Sequence, residues 1–463
     1  MESYEHVCQE SGCEILVARP SGKSFKTNNP ISTSMKYSGL VGRLLDDANA
    51  ELGDVIEVRR GVEGYTGILM PHHDFSDQSI VTLKLPNGYN MGVRVDASSK
   101  FKVVTKRESK EHKKQVLPRD PAKRDIAVIS TGGTIASYVD YRTGAVHPAI
   151  SAEELVFSVP ELLDLVNVRA KVLYSILSEN MKVTHWQGLA RAVAKELNSG
   201  AVGVIIPHGT DTMGFTSAAL AFMLRNLTGP VICVGAQRSS DRPSSDAIMN
   251  LLAATRLCVE SDLGEVVVLM HGESSDSFTI AHRGTKVRKM HSSRRDAFRS
   301  INSDPIARVE GPEITFMSEY ARRSKGPVEI MDKIDGRASM LHFYPGFEAD
   351  HFDLIASHVR GVVIAGTGLG HVSEEILGSV SRAVKNGVHV YVTTQCLYGA
   401  VNLNVYSTGR DMVAAGAVPL GDMLPETAYV KLMWAMGQAD DVDEVKKIML
   451  KNIAGEFTTR RFV

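Results

Sequence analysis

From Asp125 to the C-terminus, unbroken runs of Val and Ile recur with amphipathic stretches between them, and this pattern leaves few folds open. The runs are Ile126-Ala127-Val128-Ile129, Val202-Gly203-Val204-Ile205-Ile206, Val231-Ile232-Cys233-Val234 and Val266-Val267-Val268-Leu269-Met270. Helical spacing marks residues 186–197, 217–226 and 247–260. A strand that is apolar on both faces must be covered on both. Such strands alternating with helices give a parallel sheet between two helical layers. A second set, Gly361-Val362-Val363-Ile364 and Val388-His389-Val390-Tyr391-Val392, follows a polar stretch at 326–336. The expectation is two α/β domains, 125–325 and 326–463.

Residues 53–104 have a different texture. Val55-Ile56-Glu57-Val58, residues 64–70, residues 80–85 and Met91-Gly92-Val93-Arg94-Val95 alternate, with Pro86-Asn87-Gly88 as a hairpin turn. Short strands at this spacing predict a small all-β, barrel-like domain over 1–101, led by an irregular segment. Residues 102–124 hold nine Lys/Arg, three Asp/Glu and two prolines, the composition of a basic linker, with a tRNA-phosphate contact as the functional alternative. A chain of 463 residues accommodates these units.

Charge and cysteine content narrow the function classes. Lys plus Arg number 52 and Asp plus Glu 53, so the net charge of −1 provides no global field for binding nucleic acid by phosphate neutralisation alone. Five cysteines without a CxxC pair argue against a disulfide scaffold and for a reducing compartment. Glutamates punctuate the first 20 residues, where a signal peptide would need an apolar run, and no run approaches the roughly 20 residues that span a bilayer. A cytoplasmic protein without a membrane segment is expected.

Two loops at the carboxyl ends of predicted parallel strands carry chemistry, as such loops do in α/β sheets. In Ser130-Thr131-Gly132-Gly133-Thr134-Ile135-Ala136, two glycines let the backbone approach a substrate beside two hydroxyls. Neither dinucleotide nor phosphate-loop spacing fits it. In Pro207-His208-Gly209-Thr210-Asp211-Thr212-Met213, a hydroxyl stands next to a carboxylate. Capping of the following helix is the alternative use of Asp211.

Together, and in this order 76 residues apart from Thr134 to Thr210, the two loops resemble the signatures of the asparaginase/glutaminase amidohydrolases. The resemblance runs from about Asp125 to the C-terminus. It implies a threonine hydroxyl that attacks the side-chain amide of Asn or Gln, giving an acyl-enzyme ester and ammonia. By motif, Thr134 matches the family's nucleophile, while Thr210, Asp211 and a lysine match its base-activated hydroxyl relay. Lys286 and Lys289 are the candidates. In the family the lysine precedes a Phe-x-Ser-x-Asn segment by nine residues, which selects Lys289 before Phe298-Arg299-Ser300-Ile301-Asn302. The remaining basic residues of 283–299 read as a solvated or inter-subunit surface.

Ser178-Glu179-Asn180 matches the family loop that holds the substrate backbone. Ser178 is expected at the α-carboxylate, and Glu179 with Asp211 at the ammonium. Many relatives have Gln where Glu179 stands. The family's mobile-loop tyrosine has Tyr141 or Tyr138 as candidates, neither at the expected spacing. His72-His73-Asp74 with Asp77 has metal-ligand residue types without ligand spacing, and reads as a polar loop. Gly366-Thr367-Gly368-Leu369-Gly370 follows a strand, but His371 stands where a dinucleotide loop needs its third glycine.

The extra β-rich domain and basic linker extend the resemblance to the D subunits of archaeal glutamyl-tRNA(Gln) amidotransferases. The terminal Asn452-Ile453-Ala454-Gly455-Glu456 belongs to the same match. That resemblance implies a glutaminase that passes ammonia to a partner, the E subunit, in a heterodimer or a heterotetramer of two such pairs. The partner would hold ATP and Mg and most of the contact with Glu-tRNA(Gln), and this chain would carry no cofactor. A free-standing L-asparaginase with an appended domain is the alternative. A non-catalytic tRNA-binding scaffold would have no use for a lysine beside hydroxyls.

Overall fold

Alternation in the N-terminal region produces a five-stranded antiparallel sheet. Its strands are Val55–Arg60, Glu63–Leu69, Ile80–Lys84, Asn90–Arg94 and Lys100–Thr105, and the fifth lies beside the first. The computed structural model describes residues 37–61, 63–70, 77–85, 90–106, 117–133, 137–139, 146–148, 159, 161–238 and 245–458. Ile56, Val58, Leu69, Val81, Leu83 and Val93 form the inner face, closed by Val41 and Leu45 of the helix Gly39–Asp47. Sequence reading has no counterpart for that helix.

The fifth strand corrects the expected boundary at 101. Phe101 and Val103 alternate with exposed Lys100 and Lys102, so the start of the basic stretch is a strand paired with Val55–Arg59. Its end is no free linker either. The Asp120 N–H donates to Asn167 Oδ1 at 2.7 Å, Lys123 Nζ to Leu163 O at 2.7 Å and Arg124 to Val259 O at 2.8 Å.

The first α/β domain has an eight-stranded sheet. Asn167–Ile176, Asp125–Gly132, Val204–Pro207, Val231–Val234 and Val266–His271 run parallel, and Thr279–Arg283, Ala307–Glu310 and Glu313–Phe316 extend it antiparallel. Helices Val183–Asn198 and Met213–Met223 pack on one face, and Ala247–Glu260 on the other. The middle helix ends at Met223 because Leu224–Arg225 pair with Glu329–Ile330.

The second domain is a parallel sheet of Ala338–His342, Gly361–Gly366, His389–Thr394 and Val418–Pro419. The polar stretch before it, where the change of domain is expected, bonds to elements of both domains. Val328 and Asn198 exchange two hydrogen bonds, Arg191 pairs with Asp332 at 2.5 Å, and the Met331 N–H donates to Met223 O. The polar groups of this stretch thus serve packing against the neighbouring helix.

Helix Pro425–Gln438 joins the domains. Val430, Met433 and Trp434 complete the cluster beneath the first sheet, with Trp434 stacked on Phe222 at 5.8 Å. Between them Lys431 pairs with Glu456 at 2.5 Å, both fully buried. Lys431 also donates to Met449 O and Lys451 O, while Glu456 accepts the N–H groups of Ile453 and Ala454. A buried ion pair is tolerated only with its remaining hydrogen-bonding capacity filled in this way.

Candidate active site

Three loops meet at the carboxyl end of the parallel sheet because glycines let their backbones touch. Gly133 has a φ of +82°, and a Cβ there would lie 2.3 Å from Gly209 N. A Cβ on Gly209 would lie 2.6 Å from Ser178 Cβ. No side chain fits at either position. Thr131 Oγ1 donates to Pro207 O at 3.1 Å and Thr212 Oγ1 to Ser178 O at 2.8 Å, tying the first loop to the second and the second to the third.

Lys289 enters from a hairpin, Val287–Lys289 with Phe298–Ser300. Its Nζ lies 2.8 Å from Thr210 Oγ1 and 2.8 Å from Asp211 Oδ1. Thr210 is buried, Lys289 half-buried and Asp211 exposed. The alternative use of Asp211 fails: the residue preceding helix Met213–Met223 is Thr212, and its side chain makes no capping bond. The structure thus brings together Thr210, Asp211 and Lys289, with Ser178 buried against Gly209 and Glu179 exposed beside it. Thr134 lies outside the described residues, one position past Gly133. Tyr141 and the His72-His73-Asp74 run also lie outside them, and Tyr138 is on the strand Ser137–Val139. Among the described residues no group of three His, Cys, Asp or Glu could hold a metal ion.

The basic residues around Lys289 are paired, and Lys286, Arg288 and Arg295 are largely covered while Arg294 and Arg299 stay exposed to solvent. Lys286 is buried with Nζ 2.6 Å from Asp422 Oδ2, Arg288 pairs with Glu426 at 2.9 Å, and Arg294 and Arg299 share Asp296. Arg295, in the hairpin's turn, pairs with Asp276 at 2.5 Å, and Asp276 in turn bonds His271. Those contacts hold the Asp276 carboxyl below the usual carboxylate range, the His271 bond most of all. His271 continues through Asn250 to Gly235 O, behind Thr210. Asp296 lies within the segment, but Asp276, Asp422 and Glu426 come from outside it, which is why charge counting within the segment misses them.

His208 is a site residue to which sequence reading gives no role. It is buried, and burial pushes its imidazole down to about 4. Trp186 Nε1 donates to Thr216 Oγ1 at 3.0 Å, Thr216 Oγ1 lies 2.9 Å from His208 Nε2, and His208 Nδ1 lies 2.7 Å from Gly209 O. Because Gly209 O can only accept, the neutral ring donates from Nδ1 and accepts at Nε2. The chain fixes the backbone just before Thr210. The unfolded imidazole takes a proton near pH 6.5, the folded one only near 4, so in between the unfolded state binds more protons. Stability therefore falls as the pH drops through that window, by on the order of 3 kcal/mol from this group. Urea midpoints across the window check this. A His208→Gln protein should show the shallower slope, and parallel slopes would refute the assignment.

The chain matches three family models: Asparaginase, N-terminal over residues 125–322, Glutaminase/Asparaginase C-terminal domain over 337–449, and GatD N-terminal domain over 50–104. It is 51% identical to the D subunit of glutamyl-tRNA(Gln) amidotransferase from Pyrococcus furiosus, over 90% of this chain and 97% of the relative. It is 50% identical to the protein of the same name from Metallosphaera sedula, over 92% and 96%. Among solved structures, the thermostable L-asparaginase from Thermococcus kodakarensis aligns with 73% of this chain and all of its own, at a TM-score of 0.67 and 32% identity.

Proposed function

The chain belongs to the D-subunit family of glutamyl-tRNA(Gln) amidotransferases, whose core is the asparaginase fold, and from that premise we propose that it is the ammonia-supplying glutaminase of such an enzyme. The observation that carries the reading is Lys289 Nζ at 2.8 Å from both Thr210 Oγ1 and Asp211 Oδ1. A lysine amine in its neutral form takes a proton from a hydroxyl, and the adjacent carboxylate stabilises the ammonium that results.

In the proposed sequence the Thr134 hydroxyl attacks the side-chain amide carbon of glutamine. The new C–O bond forms, the C–N bond breaks, and the nitrogen leaves as ammonia with the hydroxyl proton. Water then cleaves the ester, restoring Thr134 and releasing glutamate. Thr210 and Lys289 relay the protons. Ser178 meets the substrate α-carboxylate, and Glu179 with Asp211 its ammonium. No step asks for a cofactor in this chain. ATP and Mg belong to the partner, the E subunit, which activates the glutamate on tRNA(Gln) and takes up the ammonia. A cytoplasmic heterodimer, paired into a heterotetramer, is the proposed assembly. No helix among the described residues is long and apolar enough to cross a membrane.

Ammonia made without an acceptor is lost, so hydrolysis should be favoured in the acceptor-bound complex. Ammonia release from glutamine and asparagine, with and without the E subunit and Glu-tRNA(Gln), tests this. Turnover of glutamine should rise roughly tenfold or more with both present, the size of a typical coupling free energy. Full activity on asparagine without the partner, unchanged on deleting residues 1–110, would establish a free-standing asparaginase instead.

A further inference from the structure

The hairpin that carries Lys289 belongs to the first α/β domain, yet the anchors at its base lie on the second. Lys286, before the first strand, reaches Asp422. Asn302, just past the second strand, closes the other side, and the two ends meet where the Ile301 N–H donates to Lys286 O at 2.8 Å. Asn302 has a φ of +56°, a left-handed conformation that side chains rarely adopt, Asn more readily than most. Such conformations persist where the surroundings over-determine them.

Those surroundings are specific. Asn302 Nδ2 donates to Gly399 O at 2.9 Å, and Oδ1 accepts from the Gly399 N–H at 2.9 Å. Nδ2 also reaches Asp422 O at 3.3 Å. Thr458 Oγ1 donates to Asn302 O at 2.9 Å, and the Thr458 N–H to Asp422 Oδ1 at 3.1 Å. The side chain thus gathers the loop after His389–Thr394 and the loop before helix Pro425–Gln438, and the residue's carbonyl adds the C-terminal segment. The strand it anchors pairs Phe298 with Lys289, so its placement sets the placement of the lysine.

We infer that Asn302 is a positioning residue for amide hydrolysis, the clamp by which the second domain holds Lys289 Nζ against Thr210. The inference rests on the proposed relay, in which the lysine handles the Thr210 proton. A reacting group displaced by an ångström loses about a hundredfold in rate, so the clamp acts on turnover more than on substrate affinity.

Asn302→Gly keeps a backbone that tolerates the left-handed φ and removes the amide. Asn302→Asp keeps the acceptor for the Gly399 N–H and loses the donor. Ammonia release from glutamine by the full chain in complex with its partner gives kcat, KM and the pH profile of kcat, with Thr210→Val as reference. For Asn302→Gly, kcat should fall by about ten- to a hundredfold, with KM nearly unchanged and the pH profile displaced. Asn302→Asp should lie between it and wild type. A purely structural role would lower the yield or the melting temperature and leave the pH profile in place. If Thr210→Val keeps its turnover, the reading of the lysine fails. If Thr210→Val is inactive while Asn302→Gly matches wild type in kcat and pH profile, the clamp alone fails. Should Asn302→Gly not fold, Thr458→Val removes the bond to Asn302 O at constant volume. It should lower kcat without raising KM, and a wild-type kcat there overturns the inference.

Discussion

Thr210→Val should abolish glutamine hydrolysis and leave the protein folded. Valine keeps the volume of a buried side chain and removes only the hydroxyl that faces Lys289. Lys289→Met should behave alike, because without the amine the hydroxyl has no base. Proton transfer by a positioned side chain accounts for about 10²–10⁴-fold in rate, and a loss in that range is the expected reading of an ammonia-release assay. On the proposed reading, in which the acceptor chemistry belongs to the partner, either variant combined with the E subunit should still support amidation of Glu-tRNA(Gln) when free ammonium is supplied. Near-normal glutamine turnover by purified Thr210→Val would sink the relay.

Lys286→Met should damage the fold. Lys286 is buried, and its Nζ contacts both the carboxylate and the carbonyl of Asp422. Burial lowers the lysine's pKa and the Asp422 charge opposes that fall, so the pair stands on mutual compensation. Breaking a buried pair from one side costs about 3–5 kcal/mol, because the remaining charge is stranded. Chemical denaturation should show that loss. The double variant Lys286→Met with Asp422→Asn should recover part of it, since no charge is then left behind. A Lys286→Met protein as stable as wild type would make the contact incidental.

The two lysines mark how far the sequence can be read. Lys289 is recoverable because the resemblance to the asparaginase/glutaminase family supplies its spacing to Phe298, and the order of the two threonine loops is recognised in the same way. The strands at Val231–Val234 and Val266–His271 are legible from their own residues, since an apolar run of that length satisfies itself only inside a sheet. Lys286, Arg288 and Arg295 are not legible as buried or paired. Their carboxylates, Asp422, Glu426 and Asp276, come from other segments that only tertiary folding brings near. The strand Lys100–Thr105 is hidden by its own lysines, which lie on the exposed side of an edge strand. His208 is in plain view, but its neutrality depends on burial and its orientation on Thr216 and Trp186, which no local pattern announces.

The helix Pro425–Gln438 has one further consequence. Its Trp434 and Met433 sit in the apolar cluster of the other domain, and its Lys431 is locked to Glu456 between the stacked Phe222 ring and the C-terminal turn. Parting the domains like a clamshell would wet that cluster and uncover the Lys431–Glu456 pair. Substrate entry and ammonia exit therefore cannot be timed by a hinge between the α/β halves. Whatever gate the enzyme uses must be made of short loops and single side chains, small enough to move while the two halves stay closed.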